Sequence, residues 1–247
     1  PTDVQGVTNV TSLAAGCKHV CVSLDSGGVK CWGWDDQGQI GDGKNDNVNV
    51  AVDVATLPPG AEFVTAGFHS SCAAFPNGAE CWGDDSMGEL GDGAQASQNV
   101  PVEANQLTFG PIVMASGAYH VFAYAPGQGQ TKLASWGENP FTGGLTGAID
   151  NASAGDSYTC ALQKGAALCW GQDNLGQLGR GSHGAPDQNA AQVQGLGSGV
   201  TAVAAGFDHA CAFLDPLHIK CWGNNANGEL GNDSTAEGDA PVDVKWP

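Results

Sequence analysis

The chain has 247 residues and a formal net charge of −18, from eight Lys and Arg against 26 Asp and Glu. Such a surface repels phosphate backbones and anionic lipid heads, which argues against nucleic acid and membrane-surface partners, and no apolar run of 18 residues is present to form a membrane-spanning helix. With 41% hydrophobic residues, 38 Gly and 12 Pro, the composition is that of an ordered, turn-rich chain and not of a disordered one.

In chain order, residues 1–4 form a Pro-Val-like segment and residues 10–16 an apolar strand with a Gly stop. A strand carrying Cys21 follows, and then one ending in Cys31-Trp32-Gly33. The succession returns at residues 50–54, 63–67, Cys72 and Cys81-Trp82-Gly83. It returns again at residues 100–103, 112–117, Phe122 and Ser135-Trp136-Gly137. Cys160 and Cys169-Trp170-Gly171 come next, then residues 200–206, Cys211, Cys221-Trp222-Gly223 and residues 241–244. Segments of this length, rich in Val, Ala, Phe and Leu and bounded by Gly, Pro, Asn or Asp, are strand and turn signals; no stretch holds a helical period for three turns.

Successive Trp residues of this series lie 50, 54, 34 and 52 positions apart. Four short strands per unit of about 50 residues predict a blade of a β-propeller. The expected fold is therefore all-β, with about five blades and four antiparallel strands per full blade. One domain over 1–247 is expected, with repeats at about 1–47, 48–97, 98–147, 148–190 and 191–247. The fourth is shortened, because the turn and the Pro-Val strand between Trp136 and Gly155 shrink to residues 138–153. Residues 1–4 and 241–244 occupy the same slot of the unit, so either can complete a ring edge to edge.

The motifs are specific, because several columns recur together. The last unit reads Ala205-Gly206-Phe207-Asp208-His209-Ala210-Cys211-Ala212, then Cys221-Trp222-Gly223 through Glu229-Leu230-Gly231. It resembles the RCC1-like (regulator of chromosome condensation) repeat family over nearly the whole chain, and in particular a bacterial, disulfide-containing secreted propeller. Family members usually have seven blades where five are counted here. The resemblance implies a structural histidine, bonding locally at the Gly turn, at His19, His120 and His209. It also implies nucleotide-exchange activity, known in eukaryotic members, or inhibition of β-lactamases, known for a bacterial propeller of similar fold.

Pairing the cysteines by repeat column gives Cys21 with Cys31, Cys72 with Cys81, Cys160 with Cys169, and Cys211 with Cys221, each across one predicted hairpin. Facing β-carbons of neighbouring antiparallel strands lie close to the span of a disulfide, and a loop this short would stabilise by roughly 2–3 kcal/mol. The third unit lacks both cysteines together, with Phe122 and Ser135 in those columns, as a pair predicts and independent thiols do not. Buried free thiols and metal sites are the alternatives. Oxidised pairs imply a periplasmic, cell-surface or secreted protein, and a chain beginning at Pro1 resembles a processed or excised domain. Cys17 has no column partner and is expected as a free thiol.

The His19, His120 and His209 column, with Ser70 and Tyr158 in its other slots, would suit a metal cluster only if several rings converged. His69, His183 and His218 stand alone in turns. Carboxylates recur after each Trp (Asp35, Asp36, Asp42; Asp84, Asp85, Glu89, Asp92; Asp233, Glu237), where turn capping competes with calcium binding and acid/base chemistry. The EF-hand spacing, the phosphate loop, Gly-x-Ser-x-Gly and His-Glu-x-x-His are all missing from the sequence. Asn9, Asn151 and Asn232 match the glycosylation pattern. Trp34, Phe141 and Trp246 lie outside the repeated Trp register and are candidates for a partner contact.

These observations predict a non-catalytic, secreted or cell-surface module, without cofactor, that presents loops to a protein partner or a neighbouring subunit. An extracellular enzyme inhibitor is the alternative. A metal protein or enzyme centred on the histidines is a third reading, and calcium is a further, weaker one. Oxidised cysteines suit a nuclear or cytosolic exchange partner poorly.

Overall fold

The computed structural model describes residues 3–107, 113–125, 132–140, 143–215 and 218–246, and the regular elements among them are all strands. They form five antiparallel sheets in chain order. The first holds β1 (Val10–Ala15), β2 (His19–Leu24), β3 (Val29–Gly33) and β4 (Val48–Asp53); the second holds β5 (Phe63–Ala66), β6 (Ser70–Phe75), β7 (Gly78–Gly83) and β8 (Gln98–Glu103). The third is β9 (Val113–Ser116), β10 (His120–Tyr124) and β11 (Leu133–Gly137). The fourth comprises β12 (Asn151–Ala154), β13 (Tyr158–Gln163), β14 (Ala166–Asp173) and β15 (Gly184–Gln192). β16 (Ala202–Ala205), β17 (His209–Asp215), β18 (His218–Gly223) and β19 (Gly238–Asp243) make the fifth. This is the all-β, blade-type organisation that the sequence predicts. The first three sheets belong to one compact unit and the last two to another.

Two features shift relative to the sequence repeat. The Val-rich strand that opens each sequence unit is the fourth strand of the preceding sheet: β4 pairs with β3 through Cys31↔Val52, and β8 with β7 through Cys81↔Val102. The sheets are therefore one strand out of phase with the repeats. For the same reason the short stretch after Trp136 leaves the third sheet, not the fourth, with three strands among the described residues. Gly143 instead makes an isolated parallel bridge to Asn189 on β15.

Local chemistry explains the strands and their turns. Lys164 and Gly165, at φ 52° and 77°, form the two-residue connection between β13 and β14, the positive pair that matches strand twist in a tight hairpin. In four sheets the third-to-fourth pairing slips between the Cys and the Gly of Cys-Trp-Gly, so each Trp sits at a β-bulge. The Gly is required there. A Cβ on Gly83 (φ +104°) would stand 2.3 Å from the His69 carbonyl oxygen.

The core lies between successive sheets of each unit. Ile40, Val54, Val64 and Trp82 pack between the first and second sheets, Leu90, Met114, Val121 and Trp136 between the second and third, and Leu178, Val193, Val203 and Trp222 between the fourth and fifth. Six of the eight half-cystines, those of the first, second and fourth sheets, are part of this core. Cys21–Cys31, Cys72–Cys81, Cys160–Cys169 and Cys211–Cys221 are disulfide-bonded between facing residues, with Cα atoms 4.0–4.2 Å apart. In the third sheet Phe122 faces Ser135 at the same register, its ring fully buried.

Candidate functional site

Each sheet offers the same edge: the turn between its first two strands and the exit from its third. Backbone bonds tie the two together. The amides of Trp34, Asp84 and Glu138 donate to the carbonyls of Lys18, His69 and Tyr119 at 2.9, 2.9 and 2.7 Å in the first unit. Those of Gln172 and Asn224 donate to Ser157 and Asp208 at 2.8 and 2.9 Å in the second. Five copies of one backbone frame thus carry five different pairs of side chains, and function is legible in how they differ.

In the first unit these side chains, with Phe68 before His69, form a continuous strip across three sheets. Lys18 Nζ lies 4.0 Å from the centre of the Trp34 ring, a cation–π contact. The His69 ring meets Trp34 edge-on at 5.0 Å, Phe68 stacks on His69 at 4.6 Å, and Phe68 and Tyr119 lie 6.2 Å apart. Trp34, Phe68, His69 and Tyr119 are half-buried and Lys18 is exposed. At the first sheet the strip opens into a groove of about 820 Å³ lined by Lys18, Trp32, Gly33, Trp34, Asn47, Val48 and Asn49. In the second unit the matching positions are Asp156, Ser157, Gln172, Phe207, Asp208 and Asn224, with Phe207 the one aromatic among them.

Trp34 is thus part of this strip, while Trp246 is 61% exposed near the end of the described chain and Phe141 lies outside the described residues. Cys17 is an exposed free thiol. Sequence reasoning did not single out Lys18, Phe68 or Tyr119, and it left His69 standing alone in its turn, where the structure packs it against Trp34 and Phe68. The signal available was the column itself, where Trp34 stands among Asp84, Glu138, Gln172 and Asn224.

The His column does structural work between sheets. His19 Nε2 bonds the Ser71 hydroxyl of the second sheet at 2.8 Å, and Tyr158 donates its hydroxyl proton to carbonyls of Gly206 and His209 on the fifth. The bonds therefore cross to the next sheet, where the resemblance implied a local turn contact. Each ring lies over a glycine: a Cβ on Gly16 would meet His19 at 2.2 Å, and one on Gly155 would meet Tyr158 at 2.0 Å. Burial and the nearby His69 hold His19 down at about 4, so it stays neutral near pH 7. Among the described residues no three His, Cys, Asp or Glu side chains group as metal ligands.

The carboxylates cap turns. Asp35, Asp85 and Asp173 accept the amides of Ile40, Leu90 and Leu178 at 2.8, 2.8 and 3.0 Å. Asp42, Asp84 and Asp92 accept amides two residues on, from Lys44, Ser86 and Ala94.

The Regulator of chromosome condensation (RCC1) repeat matches residues 164–213 and, in a second form, residues 10–39. A stretch of 96 residues is 35% identical to the E3 ubiquitin-protein ligase HERC2 of Homo sapiens, covering 37% of this chain and 2% of that protein. The chain therefore spans a very small part of that relative. Yeast RCC1 (Prp20), solved bound to Kap60, superposes at TM-score 0.57 with 17% identity, covering 95% of this chain and 74% of its own. The ectodomain of the Arabidopsis thaliana receptor kinase ACR4 superposes at TM-score 0.52 with 20% identity, covering 95% and 66%. Two stretches of this chain thus match RCC1 repeats by sequence, and its fold is shared with the RCC1 structure.

Proposed function

We propose that the chain is a non-catalytic protein-binding module working in an oxidising compartment, at a cell surface or outside the cell. The aromatic strip of the first unit is its docking edge. One observation carries this reading: on a backbone frame repeated five times, the first unit alone bears Lys18, Trp34, Phe68, His69 and Tyr119 as one surface. Half-exposed aromatic rings at a polar rim are what binding hot spots are made of.

The compartment rests on chemistry. Four disulfides close short hairpins, three of them with both cysteines buried, and would not persist in a reducing cytosol. The fold is compatible with that setting, since the ACR4 domain that shares it is a receptor-kinase ectodomain. The ligase activity named for HERC2 does not come over to this chain, which matches 2% of that protein.

A photo-crosslinking residue placed at position 34 or 119, and at exposed Asp25 on the opposite edge as a control, tests the reading against secreted and cell-surface proteins of the source organism. Adducts from 34 and 119 but not from 25 are expected. Adducts from none, or equally from all three, overturn the docking edge. The enzyme-inhibitor reading uses the same anchor, because Trp34 borders an open groove; adducts with a secreted hydrolase, accompanied by loss of its activity, would select it.

A further inference from the structure

We propose that the strip receives an extended, arginine-bearing peptide segment; this rests on the docking edge above and names its partner's chemistry. Trp34, Asp84 and Glu138 occupy one column of the repeated frame, each amide bonded back to the turn of its own sheet. The second and third sheets therefore place a carboxylate where the first places an indole. Lys18, His69 and Tyr119 form the parallel column; Lys18 and His69 touch Trp34 directly, and Tyr119 is linked to His69 through Phe68. The result is an aromatic track whose backbone frame carries an acidic residue, Asp84, beside His69 and another, Glu138, beside Tyr119.

A guanidinium matches that pairing better than any other side chain. Its plane stacks on aromatic faces while its edge forks onto a carboxylate. The first sheet already shows a cation seated on this surface, with Lys18 Nζ 4.0 Å from the Trp34 ring centre. At the groove end Asn47 and Asn49 line the wall, polar residues suited to the main chain of an extended peptide, although Asn47 Oδ1 already accepts the Asp35 amide. A net charge of −18 attracts a cationic segment from a distance.

Asp84 accepts from the Ser86 amide and hydroxyl and from the Ser97 hydroxyl. Replacement by Asn keeps an acceptor at the amide bond while removing the charge. Asp25 and Glu62 are exposed in the same unit at the opposite edge, so D25N/E62Q removes equal charge away from the track.

The probes are fluorescein-labelled peptides of sequence (Gly-Arg)4, (Gly-Lys)4 and (Gly-Glu)4, followed by fluorescence anisotropy at about 150 mM salt, with a thermal melt of each variant to confirm folding. The Arg peptide is expected to bind at least about threefold more tightly than the Lys peptide, since Arg stacks as well as pairs. D84N/E138Q should weaken it about fivefold and D25N/E62Q less than about twofold. W34A should bring the Arg and Lys peptides together. Equal weakening by the two charge variants, equal binding of Arg and Lys peptides by the unaltered protein, or a preference for the Glu peptide overturns the proposal. Crosslinking from position 34 with no Arg-peptide binding would leave the docking edge standing and remove only the arginine assignment.

Discussion

The Trp82 indole N–H donates to the Gln39 backbone carbonyl at 2.9 Å, reaching from the second sheet into the turn that follows the first. The joint recurs as Trp136 to Glu89 at 2.7 Å and Trp222 to Gln177 at 2.8 Å. The Trp of one repeat is thus held by the Gly-x-Leu/Ile-Gly turn of the repeat before it, and the turn's last glycine is small for that reason. A Cβ on Gly41 (φ +77°) would sit 2.7 Å from the Trp82 ring.

Trp82→Phe keeps an aromatic ring but removes the donor to a buried carbonyl. A loss of about 1–3 kcal/mol is expected, read as a lower midpoint in urea. Gly41→Ala should cost a similar amount through strain and the ring clash. The double variant should lose less than the two together, because both break one joint. Full additivity would mean that turn and ring do not act as a unit.

Replacing a disulfide by Ala and Ala should cost about 2–4 kcal/mol. The third sheet shows how this fold manages without one, with Phe122 fully buried opposite Ser135. C160F/C169S should therefore retain more stability than C160A/C169A, because the ring fills volume that the Ala pair leaves empty. A lower midpoint for the Phe/Ser pair would show that the sulfur site and the Phe122 site differ in shape.

The blade pattern was legible because Cys-Trp-Gly repeats, and the paired columns were legible because Phe122 and Ser135 change together. The phase of the sheets was not. A period is the same wherever it is cut, and only the pairing of β3 with β4, through Lys30↔Asp53, Cys31↔Val52 and Gly33↔Val48, assigns β4 to the first sheet. The Trp joints were hidden too, since their acceptors are backbone carbonyls that no side chain marks. Trp34 stood out in its column, but its neighbours His69 and Phe68 come from the next repeat. The strip exists only once sheets are stacked.

Protein kept from reductants, unfolded in guanidinium and reacted with Ellman's reagent should show one thiol per chain, that of exposed Cys17. After reduction all nine cysteines should react. Nine before reduction would remove the hairpin disulfides and with them the argument for an oxidising compartment.

Buried carboxylates make stability depend on pH, and the repeat supplies its own neutral controls. Asp35, Asp85 and Asp173 accept an amide five residues on, and Asn225 does the same from Leu230 at 2.9 Å. The Asn225 amide then donates to the carbonyls of Ser234 and Ala236, whereas Asp35 Oδ2 is buried without a partner. Glu89 has the same relation to Gln39 and Gln177: it is 1% exposed and its Oε1 is unpartnered, where the two amides donate to Asp36 and Asn174. Burial pushes Asp35 up to about 6 and Glu89 up to about 7, with neighbouring carboxylates adding to both shifts. The folded chain therefore holds these protons more tightly than the unfolded chain. The resulting stability is complete below the ordinary carboxylate range and is lost as pH rises through about 6 and 7. Asp187 is held low by the Asn189 amide and Arg180 and acts in the opposite sense, but only in more acidic solution. His19, held down at about 4, also acts in the opposite sense, adding stability as pH rises from about 4 to its ordinary 6.5. The two carboxylates together outweigh the one imidazole, so urea midpoints should fall between pH 5 and 7.5, most clearly above pH 6.5 where His19 no longer contributes. Glu89→Gln should raise stability at pH 7.5 by about 1–2 kcal/mol, change it little at pH 4.5, and flatten the profile between them. An unchanged slope in the Gln variant would show that Glu89 is ionised in the folded protein at neutral pH and that another group sets the dependence.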